Sequence, residues 1–97
     1  MINRIEMELP SYKVSINDGI CIINDDEVSI TKEDIDNILR TIRLWNNNYI
    51  GNGIKEDTYT ILLYDGKNII DKYTFDRAFP EDFSLLLEVI GAIYDRR

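Results

Sequence analysis

The chain has 97 residues, 44% hydrophobic and 30% charged, and its 18 acidic side chains outnumber 11 basic ones, which gives a net charge of −7. A chain of this length accommodates one hydrophobic core, so we expect a single domain over residues 1–97, and the apolar content argues against long disorder. An acidic surface repels nucleic acid and anionic lipid, which are normally bound through basic footprints. We therefore expect neither direct nucleic acid nor a membrane among its partners.

Location and redox environment follow from the first residues and the cysteine count. The start, MINRIEMELPSYK, has no apolar run behind a basic segment, and no stretch of about 18 apolar residues occurs in the sequence. The one cysteine, Cys21, sits in the apolar run GICII, where a small buried thiol is expected. A lone cysteine forms no internal disulfide, so the sequence favours a reducing compartment, the cytoplasm.

The first third of the chain reads as short strands. Residues 4–9 (RIEMEL) alternate polar and apolar side chains, the period of two expected for a half-buried strand. Residues 12–16 repeat the alternation, and Asn17-Asp18-Gly19 supplies residues that tolerate positive φ before the apolar residues 20–23. This pattern predicts a hairpin, and a short extended segment is expected at residues 27–30.

A helix should follow, because Thr31 and Asp34 have the spacing of a capping box. Apolar side chains then recur three or four residues apart, which is typical of an amphipathic helix. These residues are Ile35, Ile38, Leu39, Ile42 and Trp45. The basic residues Arg40 and Arg43 suit the negative end of its dipole.

A second hairpin is predicted after a flexible connection over residues 49–56. Two apolar strands, residues 57–64 and 69–75, flank Asp65-Gly66, and Asp-Gly is a strong signal for a tight turn. A phosphate-binding loop would need more glycines or a GK[ST] ending that runs into a helix. The segment is therefore interpreted as a turn.

The last element is a broad apolar helix that opens at Pro80, with acids in its first turn. Its interior Gly91 predicts close approach to a strand or to another helix. Its apolar residues are Phe83, Leu85, Leu86, Leu87, Val89, Ile90, Ile93 and Tyr94. The element order β-β-β-α-β-β-α predicts an α+β fold, with a small antiparallel or mixed sheet of about four to five strands and two helices.

Enzymatic chemistry is restricted by composition, because the chain has no histidine and Cys21 lies in a predicted core strand. Ser-His-Asp, Cys-His and His-metal sites are thereby excluded. Carboxylate chemistry remains, for which a pair such as Asp25 and Asp34 could share a proton or hold magnesium. We predict no catalytic residue, no metal and no cofactor, and rank a carboxylate-dependent metal enzyme third among the functions considered.

The densest charge feature is the acidic segment NDDEVSITKEDID, in which six carboxylates are opposed only by Lys32. Turn chemistry and the helix dipole explain most of such a cluster. The alternative is a patch that docks on a basic partner, with electrostatic steering as its advantage. The six candidate partner-binding residues are Asp25, Asp26, Glu27, Glu33, Asp34 and Asp36.

The second hairpin offers a further candidate surface, because both of its faces are apolar. If alternation is strict, Tyr64, Tyr73 and Phe75 share one face, which is predicted to contact a partner or a second copy. Tyrosine enrichment at interfaces favours this interpretation. The alternative is that a helix covers this face.

These features favour a non-catalytic binding protein whose partner is another protein with a basic surface. Small size, acidity and the lack of catalytic groups are typical of small inhibitors such as immunity or anti-defence proteins of bacteria or phage. The alternative is a homodimeric structural or assembly subunit that associates through its sheet.

Overall fold

The computed structural model describes residues 1–52 and 58–97. Within these ranges the chain forms seven strands and two helices. In chain order they are β1 (Arg4–Leu9), β2 (Tyr12–Asn17), β3 (Ile20–Ile23), β4 (Asp26–Val28), α1 (Lys32–Ile42), β5 (Asn48–Ile50), β6 (Thr58–Asp65), β7 (Asn68–Asp76) and α2 (Phe83–Tyr94).

The strands form one mixed sheet in the order β4-β3-β2-β1-β6-β7-β5. All neighbouring pairs are antiparallel except β5 and β7, which run parallel. The α+β class, the mixed sheet and the two helices are confirmed, whereas the expectation of four to five strands was too low. Strand β4 covers Asp26–Val28 rather than residues 27–30.

Strand β5 is an element that the sequence did not predict, since its polar, asparagine-rich surroundings read as a connection. It forms because the backbone of β7 offers an edge: Thr74 N donates to Asn47 O at 2.8 Å, and Gly51 N donates to Asp76 O at 2.7 Å. The predicted connection at residues 53–56, and the predicted strand start at Asp57, lie outside the described residues.

The predicted turn after β6 is confirmed, with its centre shifted by one residue. Asp65 pairs with Asn68, so the two loop residues are Gly66 and Lys67. Gly66 has a φ of 62°, and Lys67 is not in the left-handed region. Glycine at the first central position is the requirement of a type II′ turn, which joins antiparallel strands without splaying them.

The two helices contact each other, and both pack on the same face of the sheet. The buried apolar side chains form a single cluster between the helices and this face. From the sheet this cluster receives Ile5, Met7, Leu9, Val14, Ile16, Cys21, Ile23, Val28, Ile61, Leu63, Tyr73 and Phe75.

The predicted burial of Cys21 is confirmed, and that burial raises the pKa of its thiol to about 11. Gly91 makes the expected close approach, since a Cβ there would lie 3.0 Å from the Tyr12 hydroxyl. Among the described residues, neither helix is long and apolar enough to cross a membrane.

A β-bulge overturns the expectation that Tyr64, Tyr73 and Phe75 share one face. The register between β6 and β7 shifts at Leu63/Tyr64, so Ile70 is the extra residue and alternation is interrupted there. Tyr73 and Phe75 turn into the core, with 2% and 0% exposure, while Tyr64 lies on the opposite face of the sheet. The helices cover Tyr73 and Phe75, which are therefore not an exposed contact surface of the folded chain.

The bulge predicts opposite outcomes for two tyrosine truncations. Tyr73→Ala should lower the free energy of unfolding by about 3 kcal/mol, because it leaves a cavity in the core. Tyr64→Ala should cost less than about 1 kcal/mol, because it removes only a partly exposed ring beneath the Arg4 guanidinium. Urea unfolding of both variants measures the difference, and equal losses would contradict the assigned register.

Candidate functional site

The acidic segment lies at the β4 edge of the sheet, where the turn before β4 and the start of α1 meet the end of α2. Within residues 1–52 and 58–97, two of its six carboxylates form ion pairs and four do not.

Asp34 holds the start of α1 in place. Thr31 Oγ1 accepts from Asp34 N at 3.1 Å while Asp34 Oδ2 accepts from Thr31 N at 2.9 Å, which confirms the predicted capping box. The Arg96 guanidinium also donates to both carboxylate oxygens, at 2.6 and 2.8 Å. These hydrogen bonds, the Arg96 one foremost, hold the pKa of Asp34 well below its usual value and outweigh the opposing effect of burial. Asp34 is thus a structural residue that ties α1 to the end of α2.

Asp26 makes a second link to the end of α2. Its Oδ2 accepts from the Tyr94 hydroxyl at 2.9 Å and from Arg97 Nη1 at 3.4 Å. The Arg97 guanidinium lies 3.8 Å from the centre of the Tyr94 ring, a cation–π contact. The hydrogen bond to Asp26 raises the pKa of Tyr94. Two C-terminal arginines therefore neutralise two of the six acids.

The other four carboxylates form no ion pair with any residue in 1–52 or 58–97. All four are exposed. Glu33 and Asp36 lie on α1, whereas Asp25 and Glu27 lie by the helix-free face, the face of the sheet on which neither α1 nor α2 packs. The sequence treated the segment as one patch, but the structure separates it into a helix part and a sheet part.

The helix-free face of the sheet shows three rows of side chains that run across the strands. Pairing of adjacent strands defines each row. The central row contains Glu27, Ile22, Ser15, Glu6, Leu62 and Lys72. One flanking row contains Ile20, Asn17, Arg4, Tyr64 and Ile69, and the other contains Lys13, Glu8, Thr60 and Thr74.

A groove of about 430 Å³ opens on this face above β1 and β2. Its apolar lining residues are Met7, Val14, Ile22 and Leu62. Glu6 is held in place by Arg4 Nη2 at 2.8 Å and by the Ser15 hydroxyl at 3.0 Å, and Glu8 lies 3.9 Å from Lys13 Nζ. The groove therefore combines aliphatic side chains with ordered charges.

Sequence reasoning assigned Tyr64 to a partner-contacting face but missed the part of this face formed by β1, β2 and β3, although a signal for it is present. The alternation of β1 assigns Arg4, Glu6 and Glu8 to solvent, and strand pairing places Ile22 and Leu62 beside them. Single exposed aliphatic residues are common on protein surfaces, whereas a group of them on one face indicates an interaction surface. Finding them required the strand order, which a single sequence does not provide.

No group of three or more metal-binding side chains is present in the part of the chain that the structure describes. Asp25 lies at the helix-free face, and Asp34 is occupied by Arg96. Asp34, one member of the pair considered for carboxylate chemistry, is therefore engaged by Arg96 rather than by Asp25.

Comparison of the chain with protein-family models, curated proteins and solved structures finds no significant match.

The Asp34–Arg96 contact predicts a pH-dependent stability. A carboxyl with a lowered folded-state pKa contributes stability above its unfolded pKa, near 3.8, and this contribution is lost as the pH falls below that value. Asp34→Asn should lower the melting temperature at pH 7 by about 4–8 °C. The difference from the unaltered protein should shrink as the pH falls from 5 to about 2.

Asp36→Asn is the matched control, since Asp36 lies on the same helix without an ion pair to a described residue. It should change the melting temperature by no more than about 2 °C. A deficit of Asp34→Asn that persists unchanged at acidic pH would contradict the role assigned to this carboxylate.

Proposed function

We propose that the protein is a non-catalytic binding module of the inhibitor type, which docks on a basic surface of another protein. The observation that carries this proposal is the set of four exposed carboxylates around the β4 edge, Asp25, Glu27, Glu33 and Asp36, none of which forms an ion pair with a residue in 1–52 or 58–97. Two neighbouring arginines are present, yet they bind Asp26 and Asp34 instead.

The physical advantage of such an edge is electrostatic steering. Excess charge of one sign at one end of a protein speeds encounter with an oppositely charged partner, and it disfavours partners of like charge. The net charge of −7 acts in the same direction. Screening by salt weakens this attraction, so association should be fastest at low ionic strength.

Docking at this edge uses side chains rather than added strands. Strand β4 has only three residues, and two of them, Asp26 and Glu27, are charged. Short, charged edge strands resist pairing with another chain. In the proposed contact, carboxylates of this chain therefore bind basic side chains of the partner.

The biological assignment extends this proposal. A small acidic binder without histidine matches the size and charge of immunity or anti-defence proteins of bacteria or phage, and a lone buried thiol suits a cytoplasmic location. In this account the protein acts by covering its partner, and it catalyses no reaction.

Charge reversal on α1 tests the proposal. The test variant carries Glu33→Lys and Asp36→Lys, and the control variant carries Glu81→Lys and Glu88→Lys. Both variants change the net charge by the same amount, but Glu81 lies just before α2 and Glu88 lies on it. Each is used as bait in its native host at about 50 mM and about 300 mM salt, concentrations that differ strongly in screening. Bound proteins are then purified, and their association rates are measured.

The unaltered protein and the α2 variant should bind a basic protein that the α1 variant loses. The association rate should fall about tenfold on α1 reversal at low salt, and this loss should diminish at high salt. Binding that is indifferent to salt and unchanged by the α1 reversals would contradict the proposed function.

A further inference from the structure

The helix-free face carries several exposed aliphatic side chains in addition to its charged ones. Ile20, Ile22 and Ile69 are 52%, 40% and 54% exposed, and Leu62 lies between Glu6 and Lys72 in the central row. These four side chains stand among charged residues of both signs. Such a mixture fits a surface that meets a partner of matching pattern.

We propose that a second copy of this chain packs on the helix-free face, related to the first by a two-fold axis that runs between β1 and β2, nearly parallel to the strands. An axis in this position leaves each row at the same height and reverses its order. Each row of one copy therefore faces the same row of the other copy, read backwards.

The central row is complementary to itself under this operation. Counting from the axis, Glu27 of one copy faces Lys72 of the other, Ile22 faces Leu62, and Ser15 faces Glu6. Symmetry makes every one of these contacts twice. Ile22 and Leu62 line the groove, so their side chains have space to pack against those of the second copy. The ion pair between Arg4 and Glu6 within each copy is retained.

The flanking rows match as well. Lys13 faces Glu8 of the second copy, and because these residues already pair within one chain, the four charges alternate in sign. In the other row Asn17 faces Arg4, and Ile20 faces the ring of Tyr64. No like charges oppose each other in any of the three rows.

Two other two-fold axes on this face would oppose like charges. An axis directly over β1 would place Glu6 against Glu6, Glu8 against Glu8 and Arg4 against Arg4 of the second copy. An axis perpendicular to the strands along the central row would oppose Glu27 to Glu27 and Lys72 to Lys72. Like charges in direct contact are destabilising, so the charge pattern disfavours both of these axes relative to the one between β1 and β2.

The size of the face indicates a weak dimer. Six strands at about 4.8 Å spacing and about 20 Å in length give a footprint of roughly 500 Å² before side-chain relief. Standard interfaces bury about 800 Å² per partner, so this contact belongs at the lower end of the range. We expect dissociation constants in the micromolar range. In this arrangement both helices face outward, so Glu33 and Asp36 stay exposed for docking on a basic partner, whereas Glu27 pairs with Lys72 of the second copy.

Sedimentation equilibrium from about 2 to about 500 µM brackets a micromolar dissociation constant and tests the proposal. The unaltered protein should change from monomer to dimer across this range. Ile22→Arg should weaken the dimer at least about tenfold, because it buries a charge against Leu62. Leu85→Arg is the matched control: Leu85 is 51% exposed on α2, away from this face, and its replacement should leave the dimer unchanged.

A charge swap tests the register itself. Glu27→Lys and Lys72→Glu should each weaken self-association at least about fivefold, because each creates two like-charged contacts. An equimolar mixture of these two variants should regain association as a heterodimer, since both contacts then join opposite charges. Circular dichroism confirms that each variant is folded.

A protein that remains monomeric at about 500 µM would overturn the proposal, because even a weak specific dimer associates at that concentration. A dimer that is indifferent to Ile22→Arg, or a mixture that fails to regain association, would overturn it equally. None of these results bears on docking through Glu33 and Asp36, so the two proposals can fail separately.

Discussion

Two short helices cannot cover both faces of a seven-stranded sheet, and the rest of the structure depends on that constraint. Helices of 11 and 12 residues are about 16 to 18 Å long, whereas seven strands span about 29 Å. Placing both helices on one face yields one continuous core there. The other face must remain in water or meet another molecule, and its side chains have to suit that environment.

The helix pair is fastened at both ends, which keeps it on its face. At one end, Arg96 and Arg97 of the C-terminus reach back to Asp34 and Asp26. At the other end, Trp45 Nε1 donates to Asp82 at 2.7 Å, and the Trp45 ring contacts Phe75 and Phe83. Two of the six predicted docking acids, Asp26 and Asp34, form these contacts within the fold. The buried Asp34 in particular needs a partner for its charge.

The sequence predicted features that are set by local chemistry. The capping box of Thr31 and Asp34, the turn at Gly66 and the burial of Cys21 each depend on a few neighbouring residues, and all three are confirmed. Strand β5 was missed because its pairing is supplied by β7, far along the chain, and its own sequence is polar.

The candidate surfaces were harder to predict, because a strand residue is assigned to one face of the sheet by its position in the alternating pattern. One irregularity in that pattern changes the assignment of every later residue. One bulge at Ile70 moved Tyr73 and Phe75 from the predicted surface to the core, because a shift of one residue exchanges the two faces of a strand. The helix-free face combines β1, β2, β3, β6 and β7, whose order depends on long-range pairing. Its self-complementary rows could not be seen before that order was known.

One face of the sheet builds the fold, and we propose that the other receives a second copy. The most direct measurement is a filtered nuclear Overhauser experiment on a mixture of isotope-labelled and unlabelled protein, at a concentration where the dimer forms. We expect intermolecular contacts between the methyl groups of Ile22 and Leu62. Intermolecular contacts that involve only α1 or α2 residues such as Leu85, or none at all, would contradict it.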